Sequence, residues 1–182
     1  MKIGLDIDGV LFDFVTSIHG MIPSIPLNPR EADVAQYLKN EREVKLFNSL
    51  MQDPNYFAGL PTIPGIENLV PELNKHEVYV ITSRGKKMVP MSDYQVRKLG
   101  INFKDLIATR QKGNSVEKLG CNVMIEDQIK YAQQVNPQRI VLMPERSYND
   151  GFSPANVMKY KSIGKLISLL EVIEDTLTRR TR

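Results

Sequence analysis

Short apolar runs recur along the chain, each closing on polar residues. Residues 2–6 lead into paired aspartates, and residues 77–82 read Glu-Val-Tyr-Val-Ile-Thr. Residues 121–125 (Cys-Asn-Val-Met-Ile) and 139–143 (Arg-Ile-Val-Leu-Met) repeat the pattern, and residues 105–109 give a weaker version. Runs this short, bounded by turn residues, predict buried strands. Helical spacing fills the gaps. Pro64-Gly65 opens a stretch carrying Ile66, Leu69, Val70 and Leu73 on one face. Stretches near 91–99 and 113–119 stop at Gly100 and Gly120, residues suited to a left-handed cap. A stretch near 129–135 ends before Pro137, and the last stripe is Ile163, Leu166, Ile167, Leu170 and Ile173. Strands alternating with helices predict an α/β fold: a Rossmann-like parallel sheet with helices on both faces.

Residues 14–60 break the alternation. They hold Pro23, Pro26 and Pro29, then a polar helical stretch from about 31 to 51, and no strand run. The pattern predicts a small helical insertion at 14–60 in a core built from 1–13 and 61–182. An insertion of that size is too small to fold alone.

Composition narrows the class. With 42% apolar and 25% charged residues, the chain reads as an ordinary globular protein of about one domain. The single cysteine, Cys121, allows no intrachain disulfide and favours a reducing, cytoplasmic setting. No run reaches the roughly 18 apolar residues of a membrane span, and acidic residues at positions 6 and 8 interrupt any secretory signal. The net charge of +3, from 24 basic and 21 acidic residues, is too small to point to nucleic acid or membrane. The basic end, Arg179-Arg180-Thr181-Arg182, reads as a solvated helix terminus.

In parallel sheets ligands bind beyond the carboxyl ends of the strands. Four chemically loaded spots fall there. Asp6-Ile7-Asp8-Gly9 follows the first run, with Gly9 permitting a tight turn. Thr82-Ser83-Arg84 follows the second and offers hydroxyls and amides for phosphate oxygens. Lys112-Gly113 stands at a helix start, where a cation opposes the macrodipole. Glu126-Asp127 follows the run ending at Ile125, and adjacent carboxylates there call for a divalent cation. The four together point to Mg2+-dependent phosphoryl transfer.

The segment Ile3-Gly4-Leu5-Asp6-Ile7-Asp8-Gly9-Val10-Leu11 resembles the first motif of the haloacid dehalogenase superfamily. Thr82, Lys112 and Glu126-Asp127 stand where its other motifs would fall. Asp13-Phe14, Phe57-Ala58-Gly59-Leu60-Pro61 and Val78-Tyr79-Val80-Ile81-Thr82-Ser83 are similar to the 5'(3')-deoxyribonucleotidases and their bacterial and phage nucleotidase relatives. The resemblance implies a phosphatase acting on a (deoxy)nucleoside monophosphate. Asp6 would be the nucleophile, Asp8 the acid and base, and Lys112 the neutralising cation. Gly9, Thr82, Ser83 and Arg84 would lie at the phosphate, with Phe14 near the base. Asp6, the Asp8 carbonyl and Asp127 would hold Mg2+, with Glu126 close by. The insertion matches the position of the family's cap. Two features depart from the pattern: Glu126-Asp127 replaces the usual Asp-Asp, and there is no tryptophan to stack on a base.

The residues leave two other readings open: a phosphatase acting on nucleic-acid ends or another small phosphomonoester, and a non-catalytic nucleotide-binding module. The expected partner is a small phosphorylated molecule, with no membrane or nucleic acid. His19 and His76 read as surface or packing residues without ligand partners. Arg146 and Tyr148 follow the last run and are placed to border the site.

Overall fold

The computed structural model describes residues 1–180. Among them, β1 (Lys2–Leu5), β2 (Glu77–Thr82), β3 (Asp105–Ala108), β4 (Val123–Ile125), β5 (Ile140–Pro144) and β6 (Val157–Tyr160) form one parallel sheet in the order β3-β2-β1-β4-β5-β6. The helices are α1 (Phe14–Met21), α2 (Glu41–Leu50), α3 (Pro54–Ala58), α4 (Ile66–Leu73), α5 (Val89–Lys98), α6 (Lys112–Leu119), α7 (Ile129–Ala132) and α8 (Ile163–Arg180).

Strand side chains alternate between faces. Ile3, Leu5, Val78, Val80, Val123, Ile125 and Leu142 pack with Leu69 and Leu73 of α4, Val96 of α5 and Leu166 and Leu170 of α8. Ile81, Met124, Val141 and Met143 face the other way, onto Val116 of α6 and Ala132 of α7. Both faces are therefore covered, as the near-continuous apolar runs require. Each fully buried aliphatic side chain contributes roughly 1.5–3 kcal/mol.

β6 escapes the sequence pattern. It is an edge strand with exposed Met158 and half-buried Lys159, and edge strands take polar residues that discourage pairing with another chain. The helical stretch expected over about 31–51 is shorter. A 3-10 turn spans Val34–Tyr37, and α2 begins only at Glu41. Asn40 is the reason: it is extended, and its side chain accepts the Glu43 N–H at 3.0 Å, capping a new helix. α1 is a further helix, capped by Asp13 and placed before the prolines. α7 ends at Ala132, three residues short of the expected 135. Residues 14–60 hold an apolar cluster of Ile18, Ile22, Ile25, Val34 and Leu50.

Cys121 is buried. Of the basic end, Arg179 is exposed on α8, while Thr181 and Arg182 lie outside the described residues. His76 is a buried packing residue, but it does not lack partners: it lies between Glu72 and Glu174. Glu174 comes from the far end of the chain, so no local spacing announces it. No described helix is long and apolar enough to cross a membrane.

Candidate active site

The chain winds outward from β1 to β3, then crosses back to start β4 beside β1. That reversal opens a crevice at the carboxyl ends of β1 and β4. Asp6 extends β1, its N–H donating to the Ile125 carbonyl at 3.0 Å, and the Glu126 N–H reaches Leu142 at 3.1 Å. Backbone pairing thus sets the nucleophile candidate beside the carboxylate pair.

Lys112 is the first residue of α6 and is fully buried. Its Nζ lies 2.8 Å from Asp6 Oδ1 and 2.7 Å from Glu126 Oε2, above the Tyr131 ring. Gly113 lets α6 come this close. A Cβ there would stand 2.0 Å from the Gln134 carbonyl oxygen. The charge opposing the helix dipole is therefore held by two carboxylates.

Glu126 has both oxygens engaged, since Oε1 accepts the Gln128 N–H at 3.0 Å. Asp127 differs. Its Oδ2 accepts from Tyr148 Oη at 2.5 Å, and its carbonyl accepts from Asn149 Nδ2 at 3.0 Å. Its Oδ1 is buried with no hydrogen-bond partner among the described residues. Gly9 packs against this carboxylate: its φ is +78°, and a Cβ would fall 2.2 Å from Asp127 Oδ2.

Asp6, Glu126 and Asp127 present oxygens within 4.8 Å of one another. Three carboxylates against one lysine leave a formal excess of about two negative charges. Burial, followed by repulsion from Glu126, pushes Asp6 up to about 8 despite Lys112. Burial likewise pushes Glu126 to about 7 and Asp127 to about 6. Burial alone would lower Lys112, but Asp6 and Glu126 outweigh it and hold the ammonium above its ordinary value. An all-oxygen set with one unengaged buried oxygen fits Mg2+, which takes one or two carboxylates and keeps waters. The engaged oxygens of Glu126 make Asp127 the better-placed ligand of the pair.

Asp8, two residues beyond Asp6, is held by Arg84. Arg84 Nε donates to its Oδ2 at 2.8 Å and Nη2 to its Oδ1 at 2.7 Å, a two-pronged pair. Arg84 Nη1 reaches Ser92 Oγ at 3.2 Å and Gln95 Oε1 at 2.6 Å. Gln95 Nε2 in turn donates to the Phe57 carbonyl, and the guanidinium lies 4.6 Å from the Phe57 ring centroid. The family resemblance implies Arg84 at the phosphate. Instead it is buried and engaged by Asp8, Ser92 and Gln95.

Thr82 is buried, and its Oγ1 accepts the Arg84 N–H at 3.2 Å. Ser83 is half-buried beside it. Phe14 is half-buried and packs edge-on against Tyr56 at 6.4 Å. Tyr148 does more than border the site, because it touches Asp127, and Arg146 Nη2 donates to the Gly9 carbonyl at 3.3 Å. Ser92, Gln95 and Asn149 were missed. The first two are polar residues on the buried face of α5, and Asn149 follows a strand end. A cleft of about 940 Å3 runs alongside, lined by Val15, Thr16 and Asn28 and by Arg146, Tyr148 and Lys159.

No family model matches the chain, and no curated protein matches it in sequence. Solved structures do resemble it. A haloacid dehalogenase-superfamily hydrolase of subfamily IA from Geobacter sulfurreducens aligns with a TM-score of 0.60 and 14% identity, over 93% of this chain and 95% of that one. The fold is that of haloacid dehalogenase-like hydrolases. A family hydrolase from Xanthomonas campestris aligns at TM-score 0.58 and 10% identity, over 98% of each chain. L-2-haloacid dehalogenase from Xanthobacter autotrophicus aligns at 0.59 and 11%, over 93% and 98%.

Proposed function

We propose that this chain is a Mg2+-dependent phosphatase that cleaves a phosphomonoester, a (deoxy)nucleoside monophosphate being the favoured substrate class, through a phosphorylated Asp6. One observation carries the reading. The buried Asp6–Lys112–Glu126–Asp127 cluster stands beside a second aspartate, Asp8, that is firmly held yet reachable from solvent. Residues 1–13 and 61–182 serve as the core and 14–60 as a cap over the leaving group.

In the first step an Asp6 oxygen attacks phosphorus and the ester oxygen departs. Lys112 offsets the approach of a carboxylate to a phosphate dianion, and the Thr82 hydroxyl and Ser83 amide donate to equatorial oxygens. Mg2+, held by Asp6, Asp127 and the Asp8 carbonyl, would supply further charge stabilisation there. Asp8, entering the step protonated on an oxygen turned away from Arg84, gives that proton to the departing oxygen. It then takes one from the water that hydrolyses the acyl phosphate, which restores Asp6. Arg84 acts on Asp8, positioning the carboxyl group through one retained bond during the transfers and through both in the resting carboxylate.

L-2-haloacid dehalogenase, one of the similar structures, is named for removing halogen from a 2-haloacid. A departing halide needs no proton, which leaves the anchored Asp8 without a task and favours phosphate chemistry for this chain. Phosphate and chloride release should be measured with Mg2+ over a panel of deoxy- and ribonucleoside monophosphates, p-nitrophenyl phosphate and 2-chloropropionate. Phosphate release abolished by chelator and by Asp6→Asn is expected. Chloride release, or no phosphate from any ester, would sink the proposal.

A further inference from the structure

We infer that Glu72, His76 and Glu174 form a second divalent-cation site, suited to zinc, at the amino end of the sheet. His76 immediately precedes β2, so this cluster and Thr82 lie at opposite ends of one strand. It is independent of the phosphatase reading.

The cluster joins α4 to α8. The His76 ring is fully buried, Glu72 is nearly so, and Glu174 is partly open to solvent. Ligand atoms of the three lie within 4.8 Å of one another. His76 Nε2 stands 3.2 Å from Glu72 Oε1, and Lys75 Nζ holds the other Glu72 oxygen at 2.6 Å. A fixed carboxylate at Nε2 favours the tautomer that carries its proton there, which leaves a lone pair on Nδ1.

That nitrogen is the second observation. Nδ1 is buried and makes no hydrogen bond among the described residues, yet it faces Glu174 Oε1 at 3.4 Å. Two acceptors facing each other repel unless a cation stands between them. Two ligand atoms each about 2.0–2.1 Å from a tetrahedral zinc lie about 3.3 Å apart, close to this spacing. A carboxylate on the far ring nitrogen is also the usual support of a metal-bound histidine. A mixed nitrogen and oxygen set suits zinc over magnesium. His76 and Glu174 would bind directly, Glu72 would orient the ring from its far nitrogen, and water would complete the shell. An ion there ties the α4 end to α8 and stabilises the folded chain by mass action.

The test is titration of the full chain with zinc alone, in excess Mg2+ so that the Asp6 cluster is occupied, read by calorimetry and thermal unfolding. One zinc per chain and a rise in Tm are expected. Glu174→Gln, at a partly exposed position that spares the fold, should weaken binding more than tenfold and remove the rise. His76→Gln should do the same and abolish the visible absorption of bound Co2+. No zinc binding overturns the site. Zinc binding that survives Glu174→Gln but disappears in Asp127→Asn overturns it too, by placing the ion at the other cluster.

Discussion

Arg84→Gln isolates the role of the Asp8 anchor. The arginine makes two charge-assisted bonds to Asp8, of 2.7 and 2.8 Å, and bonds to charged groups are worth about 1.5–3 kcal/mol each. Asp8 is 22% exposed, so the lower end applies. An acid that loses its orientation forfeits much of the 10²–10⁴-fold that proton transfer supplies. A drop of about 10²-fold, or about 2.7 kcal/mol, is expected in kcat/KM for a nucleoside monophosphate, whose alkoxide must be protonated as it leaves. For p-nitrophenyl phosphate the leaving phenolate is stable without a proton, so kcat/KM should fall only a few-fold. Because kcat/KM ends at the first irreversible step, it reports the acid role and not the later activation of water. Arg84→Lys should fall between, keeping the charge but not the fork. Equal losses on both substrates would refute an anchoring role and indicate general damage. Ser92 and Gln95 lose their partner in Arg84→Gln, so denaturant unfolding should show about 1–3 kcal/mol of lost stability, and rates belong well below the Tm.

Asp127→Asn removes the carboxylate whose Oδ1 is unengaged, and Mg2+ titration of activity should show at least about a tenfold loss of apparent affinity, or about 1.4 kcal/mol. An unchanged Mg2+ dependence would exclude Asp127 as a ligand. Gly113→Ala puts a methyl 2.0 Å from the Gln134 carbonyl, so α6 must shift; urea unfolding should show a loss of about 1–3 kcal/mol, with activity falling as Lys112 moves. Without metal, Asp6, Glu126 and Asp127 keep protons in the folded chain that the unfolded chain releases near pH 4, their folded values being about 8, 7 and 6. The folded state then binds more protons, so Tm should fall as pH rises from about 4 to 8, and added Mg2+ should restore it most at the alkaline end. A metal-free Tm that rises across that range would contradict the buried acidic cluster.

The acids of the site were legible because their signal is local. A strand shows itself in four or five residues, and whatever follows it lies at the crevice, which is how Asp6, Asp8, Thr82 and Glu126-Asp127 could be singled out. Lys112 was legible for a related reason, a cation standing at a helix start against the dipole. β6 was not, since an edge strand half open to water lacks the apolar run that announces an interior one. Arg84 shows the deeper limit. Its position after β2 was plain, but whether it met phosphate, solvent or protein depended on a side chain 76 residues away. A clue lay in α5 all the same. Ser92, Gln95 and Val96 share the inward stripe, at spacings of three and four, and two of these three buried residues are polar. Buried polar side chains need partners. A serine oxygen and a glutamine amide facing the sheet therefore ask for a donor-rich group from the end of β2. Arg84, with five N–H donors and no acceptor, is the residue there that meets the demand. Polar interruptions of an apolar stripe, taken as requests for a specific partner, move Arg84 from phosphate to the buried face of α5.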